Sequence, residues 1–173
     1  YPLHDAFHNY FARLGEFYQK EPALHADDYN YESFRWIDAD NADENLFSYI
    51  RRGATKDFVV ILNFSPNTYH QHRFGVLSNG TYSEVLNSEA DIWGGCNITN
   101  PNKVKAEKTP YNNMDHSICV DVAPFGALML EVKKRNTKPK AQPAVKATKK
   151  QTDAKTTTKK AASKAAESKA VKT

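Results

Sequence analysis

The chain has 173 residues and a formal net charge of +4 that conceals two opposed regions. Residues 1–132 carry 10 basic and 18 acidic side chains, a balance of −8, whereas residues 133–173 carry 14 and 2, a balance of +12, and every aromatic residue lies before position 126. No apolar run approaches the roughly 18 residues that a membrane-spanning helix needs, and the first region is long enough to bury the core of one independent domain.

The opening residues are interrupted by polar side chains and show no cleavage motif, so no secretory leader is expected at Tyr1. Cys96 and Cys119 have no CxxC spacing and read as two buried thiols in a reducing compartment. The expected location is cytoplasmic, where the sequons at Asn79 and Asn97 would stay unmodified.

Phe7, Tyr10, Phe11, Leu14, Phe17 and Tyr18 recur at steps of three and four and predict a helix, with Asp5 as N-cap and Pro22 closing it. Its apolar stripe is wide and aromatic and requires a partner surface. Short β-like runs follow: Phe34–Ile37, Leu46–Arg52, Phe58–Phe64, His72–Val76, Thr81–Leu86, Val104–Glu107, Ser117–Val122 and Ala127–Val132. The "FVVILNF" run suits a strand buried on both faces, and "LFSYIRR" alternates like a half-exposed one. "SNG" at 78–80 signals a hairpin between its two neighbours. About eight strands at this spacing predict a mainly β chain, an antiparallel β-sandwich behind one helix. From Lys133 onward Lys, Ala and Thr dominate, with no apolar residue larger than Val, and the segment is expected to be disordered. The expected domains are 1–28 helical, 29–132 all-β and 133–173 a basic tail.

No cofactor or metal is expected, because phosphate-cradling glycine loops and metal-ligand spacings are absent. Asp38, Asp40, Asp43 and Glu44 crowd one segment, but Ala42 and Asp43 occupy the places where a calcium loop needs an oxygen ligand and a glycine. Acids in one exposed turn also lack the opposed geometry of a glycosidase pair, so a solvated turn is expected. His70 and His72 should share one strand face, without an evident third ligand for a metal. Trp93 precedes Gly94 and Gly95 and either covers the end of a β-core or offers its ring to a ligand. Trp36, Tyr82 and Tyr111 are further rings able to stack on a sugar, although Trp36 and Phe34 share a strand face that reads as core. The lysine-rich tail either solubilises the chain or attracts polyanions weakly, without aromatics for base stacking.

Several motifs then occur in order: "FRWIDADNADENLFSYIRRG", "VVILNFSPNTYHQHRFGV", "TYSEVLNSEADIWGG" and "VAPFGALMLEV". Their sequence and spacing resemble the C-terminal region of bacterial glycogen branching enzymes of the α-amylase superfamily, over roughly residues 1–132. The opening helix and "EPALH" resemble the last helix of that family's catalytic (β/α)8 barrel. Tyr82 stands where the family usually has Trp, Cys96 where Ser is common, and Ala123 at the first Pro of the closing motif.

The resemblance implies an enzyme that transfers α-1,4-glucan segments to 6-hydroxyls in glycogen synthesis, of which this chain would be the C-terminal portion. It implies partners in α-glucan (glycogen) and the barrel. The family's catalytic aspartates and glutamate belong to barrel loops with no counterpart here, so no catalytic residue is assigned. Two alternatives stay open: an α-glucan-binding module using Trp93, Trp36 or Tyr111, and a polyanion-associated protein acting through its tail.

Overall fold

A computed structural model describes residues 1–134. The expected disordered tail lies outside the described residues, apart from Lys133, which ends the last strand, and Lys134, which follows it.

Helix α1 runs from Pro2 to Lys20 with Tyr1 at its N-cap. Asp5 therefore sits inside the first turn rather than capping it. Pro2 opens the helix because its missing N–H is one the first turn leaves unpaired anyway. The C-terminal limit was foreseeable: Glu21, which precedes Pro22, is extended at φ −111°, ψ 92°. Eight strands follow: β1 (Phe34–Asp38), β2 (Leu46–Arg52), β3 (Lys56–Asn63), β4 (Tyr69–Val76), β5 (Thr81–Asn87), β6 (Val104–Lys105), β7 (His116–Val122) and β8 (Ala127–Lys133). They form a sandwich of two antiparallel sheets, one ordered β1-β2-β3-β8-β5-β6 and the other β4-β7.

Register assigns the two faces of the larger sheet. Ile50, Val59 and Leu130 pair across β2, β3 and β8, as do Ser48, Ile61 and Leu128, and both rows point inward. There they meet Phe74, Val76, Ile118, Val120 and Val122 of the smaller sheet in one continuous core. Tyr49, Val60, Met129 and Leu86 form the next row, and period-two alternation sends it to the opposite, outer face. β3 is buried on both faces because the core covers one side and α1 the other, as its unbroken apolar run predicted.

The hairpin expected at "SNG" is absent. β4 pairs with β7 and β5 with β8 and β6, so residues 77–80 carry the chain from one sheet to the other. Tyr82 locks this crossing: it is fully buried, its hydroxyl donates to Ser78 O at 3.0 Å, and burial pushes its ionisation well above the ordinary tyrosine range.

Two of the quoted motifs meet at one clasp. Asn63 of "NFSP" is buried and donates through Nδ2 to Asn67 O and Ala123 O, both at 2.8 Å. Its Oδ1 accepts from Ser65 N at 2.9 Å and Ser65 Oγ at 2.8 Å. One amide thus satisfies both turns with no net charge, which is how a buried polar group avoids its desolvation penalty. No helix among the described residues is long and apolar enough to cross a membrane.

Candidate functional site

The outer face of the large sheet carries the most unusual surface. Helix α1 lies on it, held by its C-terminal half. Phe17, 6% exposed, packs edge-on against Phe58 with ring centroids 5.5 Å apart. Lys56 donates to Glu21 and Glu131, each at 2.9 Å. Burial draws the Lys56 ammonium down, but these two carboxylates outweigh it and hold its pKa above the ordinary lysine value. The link from helix to strand is tied separately: Arg51 donates to Leu24 O at 2.8 Å and pairs with Asp28, and Arg52 reaches Glu32 at 2.8 Å.

The N-terminal half of α1 is differently placed. Tyr10 contacts Trp93 at 5.7 Å, and Leu3 approaches Gly94. Tyr10, Leu14 and Phe17 are the stripe that faces inward, whereas Phe7, Phe11 and Tyr18 form a second, more exposed stripe along the flank of the helix. Phe7 and Phe11 are 62% and 56% exposed. The helix thus has an apolar arc wider than the surface it rests on, as its aromatic periodicity implied.

Beside this second stripe lies a largely apolar cleft of about 650 Å³. Phe11, Leu14 and Tyr18 form one wall, Tyr49, Val60 and Met129 the floor, and Phe34 the far side, with Arg51 and Asp28 at the rim. Phe34 stacks on Tyr49 at 5.2 Å and meets Trp36 edge-on at 5.1 Å. Trp36 is 50% exposed, which corrects the expectation that its strand face is core. β1 is the sheet's edge strand and Trp36 pairs with Tyr49 on the outer row, where no element among the described residues covers it. Further along the same sheet Phe47 meets Phe64, itself exposed, at 5.7 Å.

Of the four rings named as able to stack on a sugar, Tyr82 is fully buried, and the other three do not converge. Trp36 lies on the outer face of β1. Trp93 sits half-buried under α1 in the short Asp91–Trp93 turn. Tyr111, 42% exposed, lies in a loop against β4, where its carbonyl leaves no room for a side chain at Gly75. The cleft that does gather aromatics uses Phe34, expected as core beside Trp36, and Tyr49, which was not singled out from the sequence. The alternation of "LFSYIRR" was the available signal, since it places Tyr49 opposite the buried Ser48 and Ile50.

The other candidates resolve individually. His70 and His72 do not share a face: a bulge between Tyr69 and His72, with Gln71 at φ +48°, reverses the alternation. His70 turns toward Asp121 at 3.8 Å and His72 toward Glu44 at 3.0 Å. Glu44 also accepts from Asn41 Nδ2, and this bond, with that of His72, holds its pKa below the ordinary carboxylate value. The acidic segment is a turn, as expected. Among the described residues no three His, Cys, Asp or Glu side chains cluster as a metal site. The buried-thiol reading fails, because Cys96 is exposed in the Gly-Gly loop and Cys119 is only half-buried in β7, between the core residues Ile118 and Val120. Ala123 is buried, and its carbonyl accepts from Asn63 in the clasp.

Comparison with known proteins agrees with this architecture. Residues 36–133 match the family described as "Alpha amylase, C-terminal all-beta domain". The 1,4-alpha-glucan branching enzyme GlgB of Bacillus cytotoxicus is 35% identical over 149 residues, covering 85% of this chain and 23% of that protein. GlgB of Clostridium perfringens is 39% identical over 136 residues, 77% of this chain and 21% of that protein. GlgB of Shewanella frigidimarina is 36% identical over 128 residues, 73% of this chain and 17% of that protein. The chain therefore spans about a fifth of the length of these curated relatives. It belongs to the family of alpha-amylase C-terminal all-beta domains, in the form found in bacterial 1,4-α-glucan branching enzymes.

Proposed function

We propose that this chain is the C-terminal portion of a 1,4-α-glucan branching enzyme and that it supports the catalytic barrel of that enzyme without performing turnover itself. The observation that carries the reading is the second apolar stripe of α1, with the adjoining cleft. Phe7, Phe11, Tyr18, Phe34 and Trp36 together present far more aromatic surface than isolated exposed rings would, and a patch of that kind marks a contact. In the relatives some four fifths of the chain lies outside the matched portion, enough to supply the covering element. The intact enzyme would cleave an α-1,4 linkage, hold the segment covalently and pass it to a 6-hydroxyl of glycogen, in two displacements that retain configuration.

A chimera tests this. Residues 1–134 would replace the matching C-terminal portion of the Clostridium perfringens enzyme, and branching would be followed by the iodine spectrum. Activity should persist in the chimera and be absent from the present chain alone. A folded but inactive chimera, or branching by the present chain, would overturn the proposal.

A second reading, an α-glucan-binding module, draws support from Trp36, whose half-exposed indole adjoins a cleft with polar groups at its rim. Maltooligosaccharide at millimolar concentration should then change tryptophan fluorescence, and Trp36→Ala should remove most of the response.

A further inference from the structure

The charged groups of the folded region are not spread evenly. Residues 1–134 contain twelve Lys and Arg against eighteen acids, yet half of those cations line a single groove. The groove has a volume of about 970 Å³ and opens at the end of the sandwich where the β2–β3 turn, the 77–80 crossing, β6 and the end of β8 come together. Its cations are Arg35, Arg52, Lys103, Lys105, Lys133 and Lys134.

The two acids in the groove are already engaged. Asp57 is 5% exposed and is held by Lys134 at 2.9 Å and by the Gly53 N–H. Glu131 is paired with Lys56 at 2.9 Å. Arg52 is opposed by Glu32. Arg35, Lys103, Lys105 and Lys133 have no ion pair among the described residues, and all four are exposed. The local backbone dictates part of this. Val104 is buried in the core, so alternation turns Lys103 and Lys105 outward together. Holding four like charges in one groove without counter-ions works against the compact state, and it gathers anions from solution.

The remaining lining identifies the kind of anion. Ser78, Asn79, Thr81 and Ser83 add hydroxyl and amide donors, and no aromatic ring lines the groove. Donors arrayed around a groove suit phosphate, whose oxygens accept from several directions, better than a carboxylate with two in one plane. The absence of rings removes base stacking as a source of affinity. One phosphate would fill little of the space, whereas successive phosphates could meet the unpaired cations in turn.

We propose that this groove binds the phosphates of a linear polyphosphate-type chain, either inorganic polyphosphate or a nucleic-acid backbone, through Arg35, Lys103, Lys105 and Lys133. The proposal goes beyond the carbohydrate role and does not depend on it.

The test uses the full chain, so the basic segment 135–173 is common to every variant and the groove is read by difference. The probes are long-chain inorganic polyphosphate and fluorescein-labelled duplex DNA, with poly-L-glutamate as the carboxylate comparison. Reversing three cations together (Lys103→Glu, Lys105→Glu, Lys133→Glu) should weaken phosphate-chain binding at least about tenfold at low salt. It should also flatten the dependence of log K on log salt by about three, and Lys105→Glu alone by about one. A charge-matched control at Arg13, Lys20 and Lys108 should change much less, and melting curves would establish that each variant is folded. The probe with the larger loss in the triple variant identifies the source of the phosphates. Unchanged binding in the folded triple variant, an equal loss in the control, or poly-L-glutamate binding as tightly as polyphosphate would overturn the assignment.

Discussion

The two faces of the six-stranded sheet are built from the same strands and end in opposite situations. The inner face is sealed by β4 and β7, and its rows of Ile50, Val59, Ile61, Leu128 and Leu130 are all buried. The outer face is sealed where Phe17 meets Phe58, and Val60 and Leu86 are buried there as well. On either side of that contact the sheet and helix continue apolar but uncovered, at Phe11, Trp36 and Phe64. Burial on the inner face is complete within this chain, so it contributes to the stability of this chain. The outer face holds apolar area whose burial would contribute only when something else arrives. Substitutions on the two faces should therefore separate fold stability from association.

The largest effect should come from the inner face. Ile118 is fully buried in β7 between the sheets. Ile118→Ala removes apolar contact and leaves a cavity, for an expected loss of about 2–5 kcal/mol in denaturant unfolding. A loss below ~1 kcal/mol would mean that the smaller sheet is not the true cover of the core.

Phe17→Ala probes the seam. The ring is nearly buried, but on one side of the sheet rather than inside the sandwich, so about 2 kcal/mol is expected from the lost apolar burial. Because Lys56–Glu21 and Arg51–Leu24 remain, the helix should loosen without detaching, and binding of a hydrophobic dye should increase. No change in dye binding would show that the N-terminal contacts, Tyr10 on Trp93 included, suffice to seat the helix.

Legibility from sequence follows the same division. The strands were readable because half-buried β segments alternate, and "LFSYIRR" places Leu46, Ser48 and Ile50 inward with no further information. Pairing was less readable. The turn at 78–80 announces that the chain reverses, but not which sheet receives the next strand, and the buried Tyr82 bonded to Ser78 decides that through long-range packing. His70 and His72 were misplaced for a comparable reason. One residue at positive φ, Gln71, inverts the alternation, and glutamine carries no propensity that would advertise it. Trp36 was misread because an aromatic on an edge strand has the composition of core, whether or not a neighbour covers it. The cationic groove was invisible because it draws Arg35, Lys103 and Lys133 from distant parts of the chain.

A smaller effect concerns acid. The pKa of Glu44 is lowered from its ordinary value of 4.5, chiefly by the Asn41 hydrogen bond and further by His72. A carboxylate depressed on folding stabilises the native state above its unfolded pKa, and that contribution is lost as pH falls through the lower folded value. The wild type should therefore lose this increment below about pH 4.5, whereas Glu44→Gln should be less stable at neutral pH and show a shallower decline in acid. Parallel acid profiles for the two proteins would remove Glu44 from the account.

The smallest stability effect, and the most informative, belongs to the uncovered stripe. Phe7→Ser with Phe11→Ser changes two rings that are more than half exposed, so unfolding in this chain should shift by no more than about 0.5 kcal/mol. Phe7 and Phe11 do touch each other, with centroids at 4.8 Å, and part of any small loss would be that pair. The same double substitution in the chimera that carries a catalytic barrel should behave differently, because there the rings would be covered. Stability of the chimera should fall by about 2–4 kcal/mol, the burial of two phenylalanine side chains foregone, and branching activity should fall with it. Equal, small effects in the isolated chain and in the chimera would show that the stripe stays in water in both, and the outer face would then need a different partner from the one its position on the helix suggests.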